Sequence, residues 1–396
     1  MNSPLKIAAV ITAYYPRSHA DVIATKFMVG FPTDTGLILP QTHLASMYID
    51  QKHPNDMGFE LSDQHDVPIY PSVVQALTLD SSELAVDGVL LIGEHGNYAY
   101  NELGQHLYPR RYLFEQICGV FATSGRSVPV FCDKHLSYNW SDASWMYQRA
   151  KALKVPLMAG SSLPLCWRDP YLEHPKETPI ASALTIGYGG IESYGFHALE
   201  AIQCMVERRI GGEIGVVSVQ TLSGSNVWEA GNQGLWDLEL ARSASKTIES
   251  HNEGTLESTT DPTLFLIEHR DGLKSAVLML STIGFAYACR VGSEIQATEF
   301  YLQEDNPYSH FSYLGLNIEQ MFLSNKPQYP AERTVLTTGI LDMAIQSLHR
   351  GGIRLETPHL SHLSYQSYEK LPLRPIGPRP RGVTLETWPP TYKSSC

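Results

Sequence analysis

The chain has 396 residues, 43% of them apolar and 18% charged, and carries a net charge of −12 from 29 basic and 41 acidic side chains. That length predicts two or three domains of about 150 residues each, and the apolar fraction excludes a disordered chain. The acidic balance argues against a nucleic-acid binder, which needs a basic face. No run reaches the ~20 uncharged apolar residues of a membrane helix.

The first apolar run, Ile7–Thr12, ends in Tyr14, Tyr15, Pro16 and Arg17. Its polar and aromatic residues make it a buried strand rather than a signal peptide. Leu44–Asp50, Gly88–Gly93, Ser127–Asp133 and Pro156–Ser161 continue the series. Each is of strand length and nearly continuous in apolar character, as strands covered on both faces are. Helical patterns lie between them. One is Ala143–Leu153, with Trp145, Met146, Ala150 and Leu153 on one stripe and Ser141 or Asp142 as its cap. This alternation predicts a Rossmann-like, doubly wound parallel sheet over residues 1–165, an α/β domain.

From Cys166 the pattern changes. A helix is expected over His197–Arg209, and alternating runs at Gly215–Leu222, Thr263–His269, Ser275–Thr282 and Gln296–Leu302 read as antiparallel strands. With a further helix over Leu336–His349, residues 166–370 form an α+β domain with an open, mainly antiparallel sheet. Residues 371–396 are a proline-rich tail. Six cysteines without a C-x-x-C pair read as reduced thiols of a cytoplasmic protein.

Chemistry gathers at the strand ends. Ser18, His19 and Asp21 follow the first strand, Asp50 and Gln51 the second, Glu94, His95 and Asn97 the third, and Asp133, Lys134 and His135 the fourth. Open α/β sheets bind ligands at that edge. In Asp133-Lys134-His135 a lysine flanked by an acid and an imidazole can polarise a carbonyl or hydroxyl; a solvated salt bridge is the plainer use. His197 and Glu200 lie three apart on one helix face, where a carboxylate can hold an imidazole tautomer. The alternative is a helix-start histidine satisfied by its neighbour. The loop Glu94–Arg111 has the composition of a lid. Its Arg110 and Arg111 are either a clamp for a carboxylate or phosphate or ordinary surface charges. Tyr194 and Trp228 are cleft aromatics or plain core.

Two stretches carry a resemblance. Asp133-Lys134-His135, followed by Asp142-Ala143, Met146 and Ala150, resembles the E-K-P motif and D-A-x-x-M-x-x-x-A helix of the Gfo/Idh/MocA family, the glucose–fructose oxidoreductase and inositol dehydrogenase type. Gly189, Gly190, Gly195, His197 and Glu200 match its G-G-x-x-x-D-x-G-x-H-x-x-D stretch. The resemblance extends to Thr337–Leu348 before Gly351-Gly352. It implies an NAD- or NADP-dependent dehydrogenase of a sugar- or polyol-like small molecule, and a homo-oligomer built through the C-terminal sheet. It implies that Lys134 touches substrate and nicotinamide and that His197 is the acid/base, with Glu200 or Glu192 orienting it.

The departures fall on the cofactor side. Where the family has G-x-G-x-x-G/A after the first strand, this chain has Thr12 to His19 without a glycine. Glycines there let backbone N–H groups approach a pyrophosphate. Arg17 and Ser18 are the side-chain substitutes, with His19, Asp50, Glu94 and Asp133 completing the expected cofactor side. Asp50 stands where a ribose-binding acid belongs. His135 replaces the family's proline, and Ser193 replaces its aspartate. His95, His135, Arg110, Arg111, Arg168 and Tyr194 are the expected substrate contacts. The surplus of His19, Glu94, His95, Asp133 and His135 suggests a divalent metal, or a hydrogen-bonded network without one. A non-redox, metal-assisted lyase, isomerase or hydrolase is therefore the second functional expectation. A non-catalytic sensor on the same fold is the third.

Overall fold

The computed structural model describes residues 3–249, 256, 259–281, 284–303 and 306–377. In chain order the strands are β1 (Leu5–Ala13), β2 (Phe31–Thr33), β3 (Gly36–Ile38), β4 (Thr42–Gln51), β5 (Gly88–Ile92), β6 (Val130–Asp133), β7 (Leu157–Gly160), β8 (Trp167–Asp169), β9 (Ile180–Tyr188), β10 (Val216–Ser223), β11 (Thr263–His269), β12 (Lys274–Leu280), β13 (Ala286–Val291), β14 (Glu294–Tyr301) and β15 (Leu355–Glu356).

All five strands expected in the first domain form. They make a parallel sheet in the order β4-β1-β5-β6-β7. Its continuous apolar character has the expected cause, since both faces are covered. In β1, Ile7, Ala9 and Ile11 enter a core with Phe31, Leu314 and Phe322. Ala8 and Val10 enter the opposite core with Leu113, Phe114 and Val130, as the two-residue period of a strand requires. Beyond β4 a single parallel bridge, Met47 to Ile69, marks a vestigial sixth strand. Counting it, the order is the 3-2-1-4-5-6 of a Rossmann sheet, and the strand order reverses between β1 and β5.

The second sheet has eight strands in the order β15-β10-β11-β12-β9-β13-β14-β8. It is antiparallel except for the β12–β9 pair. Helices Ser193–Val206 and Ala331–His349 cover one face. Helices Ser225–Asn232 and Leu238–Ser245 cover part of the other, where Trp228 and Trp236 pack together. Trp228 is thus core rather than cleft. Strands β9 and β13 were not anticipated; they run through small residues rather than a β-branched run. Gly187 of β9 shows why: a Cβ there would stand 2.9 Å from Ala198 of the covering helix.

Two helix ends correct the sequence reading. The helix Trp140–Ala152 is capped by Asn139, whose side chain accepts the Asp142 N–H at 2.8 Å, not by Ser141 or Asp142. The histidine-bearing helix runs Ser193–Val206 rather than from His197. The helix Ser309–Ser324 returns to the first domain, inserting Leu314, Ile318 and Phe322 into its core. No described helix is long and apolar enough to cross a membrane. Of the proline-rich tail, residues 378–396 lie outside the described residues.

Candidate active site

The carboxyl ends of β1, β5, β6 and β7 open on a cleft of about 650 Å³. Its near wall is Arg17, His19, Glu94, His95 and Lys134. Its far wall is Glu192, Tyr194 and His197, with Tyr308, His310 and Phe311 closing one end.

Glu94 is the electrostatic centre. It is buried at the end of β5, with Lys134 Nζ 3.0 Å from one carboxylate oxygen and the Arg110 guanidinium on the other. Arg110 reaches it from the first turn of the helix Arg110–Ser124. The approach requires Gly93, because a Cβ there would lie 2.5 Å from Arg110 Cγ. Burial pushes the Glu94 carboxyl up, but Lys134 and Arg110 outweigh it and hold it well below the usual carboxylate range. Arg110 also places a nitrogen 3.4 Å from His135 Nε2. A guanidinium only donates, so Nε2 accepts and the ring hydrogen sits on the buried Nδ1. Burial and the Arg110 charge keep His135 neutral, well below its ordinary pKa.

Two imidazoles face the cleft with their tautomers supported from behind. His19 Nδ1 lies 2.7 Å from Asp133 Oδ2, so the carboxylate accepts the Nδ1–H and fixes the ring's orientation. His197 Nδ1 lies 2.6 Å from Ser161 Oγ, which also accepts the Leu163 N–H at 3.0 Å. Burial first, then the Lys134 charge, hold His197 well below its ordinary pKa. Glu200 reaches it only through Ser161. Its carboxylate accepts the Ser161 N–H at 3.4 Å and the Thr337 hydroxyl at 2.7 Å, and burial raises its pKa. Glu192 accepts the His106 N–H at 2.9 Å, and burial raises its pKa too.

Four residues lining the cleft hold a left-handed backbone. Arg17, His95, Lys134 and Tyr308 hold φ of 70°, 72°, 60° and 52°. The left-handed region costs a non-glycine residue roughly 1–2 kcal/mol, and such residues persist where surrounding contacts impose them. His95 Nε2 and His310 Nδ1 are buried without a partner among the described residues, and burial holds both imidazoles down to about 3.

The β1–β4 side of the crevice is different. Tyr14 is fully buried, its hydroxyl 2.7 Å from Thr25 Oγ1, and Tyr15 stacks on His53 at 4.0 Å. The Arg17 N–H is taken by Asp21 Oδ2 at 2.8 Å. Ser18, fully buried, caps the short helix His19–Ile23 by accepting the Asp21 N–H at 3.3 Å. Both oxygens of Asp50 accept tyrosine hydroxyls, from Tyr48 and Tyr98, at 2.6 Å each.

The structure therefore brings together Arg17, His19, Glu94, His95, Lys134, Glu192, Tyr194 and His197, with Asp133, His135, Arg110 and Glu200 directly behind them. It leaves four others out, the first being Ser18, which is buried as a helix cap. Arg111 points outward over Trp145 and lies 3.6 Å from Glu115, so it makes no clamp with Arg110. Arg168 pairs with Glu173 in another cluster. Asp50 stands apart from the cleft with its tyrosines. Among the described residues no three His, Cys, Asp or Glu side chains converge as metal ligands, so the metal expectation finds no support. Tyr188, Tyr308, His310 and Phe311 were missed, because only the folding back of helix Ser309–Ser324 and of β9 places them here.

No family model and no curated protein matches this sequence. Solved structures do match over nearly the whole chain. GenD2 from gentamicin A biosynthesis, in complex with NAD, superposes with a TM-score of 0.57 at 13% identity, covering 90% of this chain and 97% of that one. Apo scyllo-inositol dehydrogenase from Lactobacillus casei gives 0.58 at 10% identity, covering 90% and 99%. Myo-inositol dehydrogenase from the same organism, in complex with NAD(H) and myo-inositol, gives 0.54 at 10%, covering 89% and 97%. The fold is that of the Gfo/Idh/MocA-type dehydrogenases. In this chain Lys134 and His197 both line the cleft, and the turn after β1 holds no glycine.

Proposed function

We propose that this protein is a Gfo/Idh/MocA-type oxidoreductase that oxidises or reduces a sugar- or polyol-like small molecule with a nicotinamide dinucleotide. The carrying observation is the convergence of Lys134, His197 and the Glu94 carboxylate at one strained, ligand-sized cleft of this fold. Two of the structures it resembles are complexes with NAD or NAD(H).

The residues fit such a cofactor unevenly. At the reacting end the orphaned His95 and His310 nitrogens, Lys134 and His197 offer polar groups to a ligand. At the phosphates there is no glycine cradle. Arg17 adopts the left-handed conformation of a glycine and turns a guanidinium to the cleft, so its side chain would hold phosphate where backbone amides do elsewhere. When bound, the nicotinamide supplies the hydride acceptor or donor.

The protein's own groups then have defined tasks. His197 Nε2 exchanges the proton of the reacting hydroxyl, and Ser161 Oγ adapts by donating to or accepting from Nδ1. Lys134, its ammonium fixed by Glu94, donates to the same oxygen and stabilises alkoxide character. Glu192 and Tyr194 meet the remaining hydroxyls. The five described cysteines are free thiols, which supports a reducing, cytoplasmic setting. For assembly, the uncovered part of the second sheet beside Leu235, Leu266 and Ala276 is the face for a second copy.

Calorimetric titration with NADH and NADPH is the first test, followed by hydride transfer to sugars and polyols. Tight binding and turnover are expected, with His197→Asn lowering kcat by about 10²–10⁴ while dinucleotide binding persists. No binding at millimolar dinucleotide overturns the reading. The His19–Asp133 pair favours a second one: two supported imidazoles at one cleft suit non-redox proton transfer in a lyase or isomerase. Turnover without any dinucleotide, abolished by His19→Ala, would select it.

A further inference from the structure

Away from the cleft, the segment from Ser367 to Arg374 closes over a cavity of about 20 Å³ beside the helices that carry Cys204 and Arg333. Four guanidinium groups line it. Arg168, Arg208, Arg333 and Arg374 are 4%, 7%, 4% and 6% exposed. Two carboxylates line it with them. Glu173 takes Arg168 at 2.6 Å and also Arg374. Glu207 accepts Arg333 Nε at 2.9 Å and the Tyr365 hydroxyl at 2.8 Å. Glu200, within electrostatic reach of Arg333, adds at most one further negative charge. The cluster thus keeps one or two buried positive charges in excess, and buried charge is costly unless it is paired.

The surplus is directional. Arg168 Nε, Arg333 Nη1, Arg374 Nη1 and the Ser367 hydroxyl are buried, and none has a partner among the described residues. All four residues line the cavity. Four donors are left over around a cluster of net positive charge, beside the buried Tyr329 hydroxyl that also has no partner among the described residues, and surplus donors with surplus positive charge suit an anion. Size narrows the class. About 10–15 Å³ of such volume holds one water-sized sphere, so the space suits a monoatomic ion and is too small for a phosphate. A water molecule would satisfy donors but leave the charge unbalanced.

We propose that this cavity binds one small inorganic anion of chloride size, held by Arg168, Arg333, Arg374 and Ser367. The anion fastens the segment ending at Arg374 onto the second domain. Without it Arg374 faces Arg168 across Glu173 alone, and burial together with the Arg168 charge lowers the Arg374 pKa.

The test uses the full chain. Thermal unfolding is compared in sodium chloride and sodium gluconate at equal ionic strength, and crystals are soaked in bromide for anomalous scattering. A Tm about 3 °C higher in saturating chloride is expected, with a bromide peak within hydrogen-bonding distance of the Arg168, Arg333 and Arg374 side chains. Arg374→Gln, or Ser367→Ala should that variant not fold, should reduce the chloride increment to near zero or weaken chloride affinity severalfold. Equal Tm in the two salts, or a chloride effect with no bromide peak in this cavity, overturns the proposal.

Discussion

The two halves of one sheet edge make a contrast. At the ends of β5 and β6 the chain buries ions and strains its backbone: Glu94 between Lys134 and Arg110, with His95 and Lys134 at positive φ. At the ends of β1 and β4 it satisfies itself. Tyr14 fills the floor, Ser18 and Asp21 take the turn's N–H groups, and two tyrosines occupy Asp50. Both halves lie at the reversal point of a Rossmann sheet, where the fold alone predicts binding. What separates them is polar satisfaction. Groups at the β1 and β4 ends are paired within the chain, whereas His95 and His310 keep buried nitrogens without a partner among the described residues.

Acid should break this contrast first. Burial holds His95 and His310 at about 3, against an ordinary value of 6.5. Below that ordinary value the unfolded chain binds protons that the native state refuses, so stability falls with pH until the folded values are reached. At about 1.4 kcal/mol per pH unit for each proton, these two rings should cost about 7 kcal/mol in urea unfolding between neutral pH and about pH 4. His95→Asn combined with His310→Asn should flatten that slope. A slope unchanged in the double variant would show that these rings titrate normally.

Glu94→Gln is the next largest perturbation. It leaves Lys134 and Arg110 as buried cations without their counter-charge, and a cost of about 3 kcal/mol in unfolding free energy is expected, together with loss of turnover. Asp50→Asn, made at the self-satisfied end as its counterpart, should change stability by less than about 1.5 kcal/mol. Comparable losses in the two variants would erase the distinction between the halves.

The smallest effect is the most diagnostic. Arg17 is exposed and left-handed, so Arg17→Gly relieves backbone strain and should stabilise the fold by about 0.5–1 kcal/mol. The same change removes the only guanidinium lining the cleft among the described residues, and dinucleotide affinity should fall about tenfold or more. A variant that gains stability and keeps its affinity would move phosphate recognition away from this turn.

Local pattern was enough for much of the fold. Continuous apolar runs of strand length identified all five parallel strands, because burial on both faces demands that composition wherever the strands pair. The same runs placed Glu94, His95, Asp133, Lys134 and His135 at strand ends, since a parallel sheet puts every carboxyl end on one edge. Composition did not announce β9 and β13, whose small residues answer to a helix packed against them. Nor did it announce the Asn139 cap, where neighbouring polar residues offered equal candidates.

Partnership needed the folded chain. His19 and Asp133 are 114 residues apart, and His197 finds Ser161 rather than its helical neighbour Glu200. Arg110 and Arg111 are adjacent in sequence, yet one is buried on Glu94 and the other stacks outward on Trp145, because successive helical positions point about 100° apart. Arg168, Arg208, Arg333 and Arg374 meet around one cavity from distant segments. Hydrophobic periodicity is a property of a few consecutive residues and can be read one segment at a time. Pairing between polar groups depends on which segments the core brings together, and in the cleft its partners lie 16, 36 and 114 residues apart in the chain.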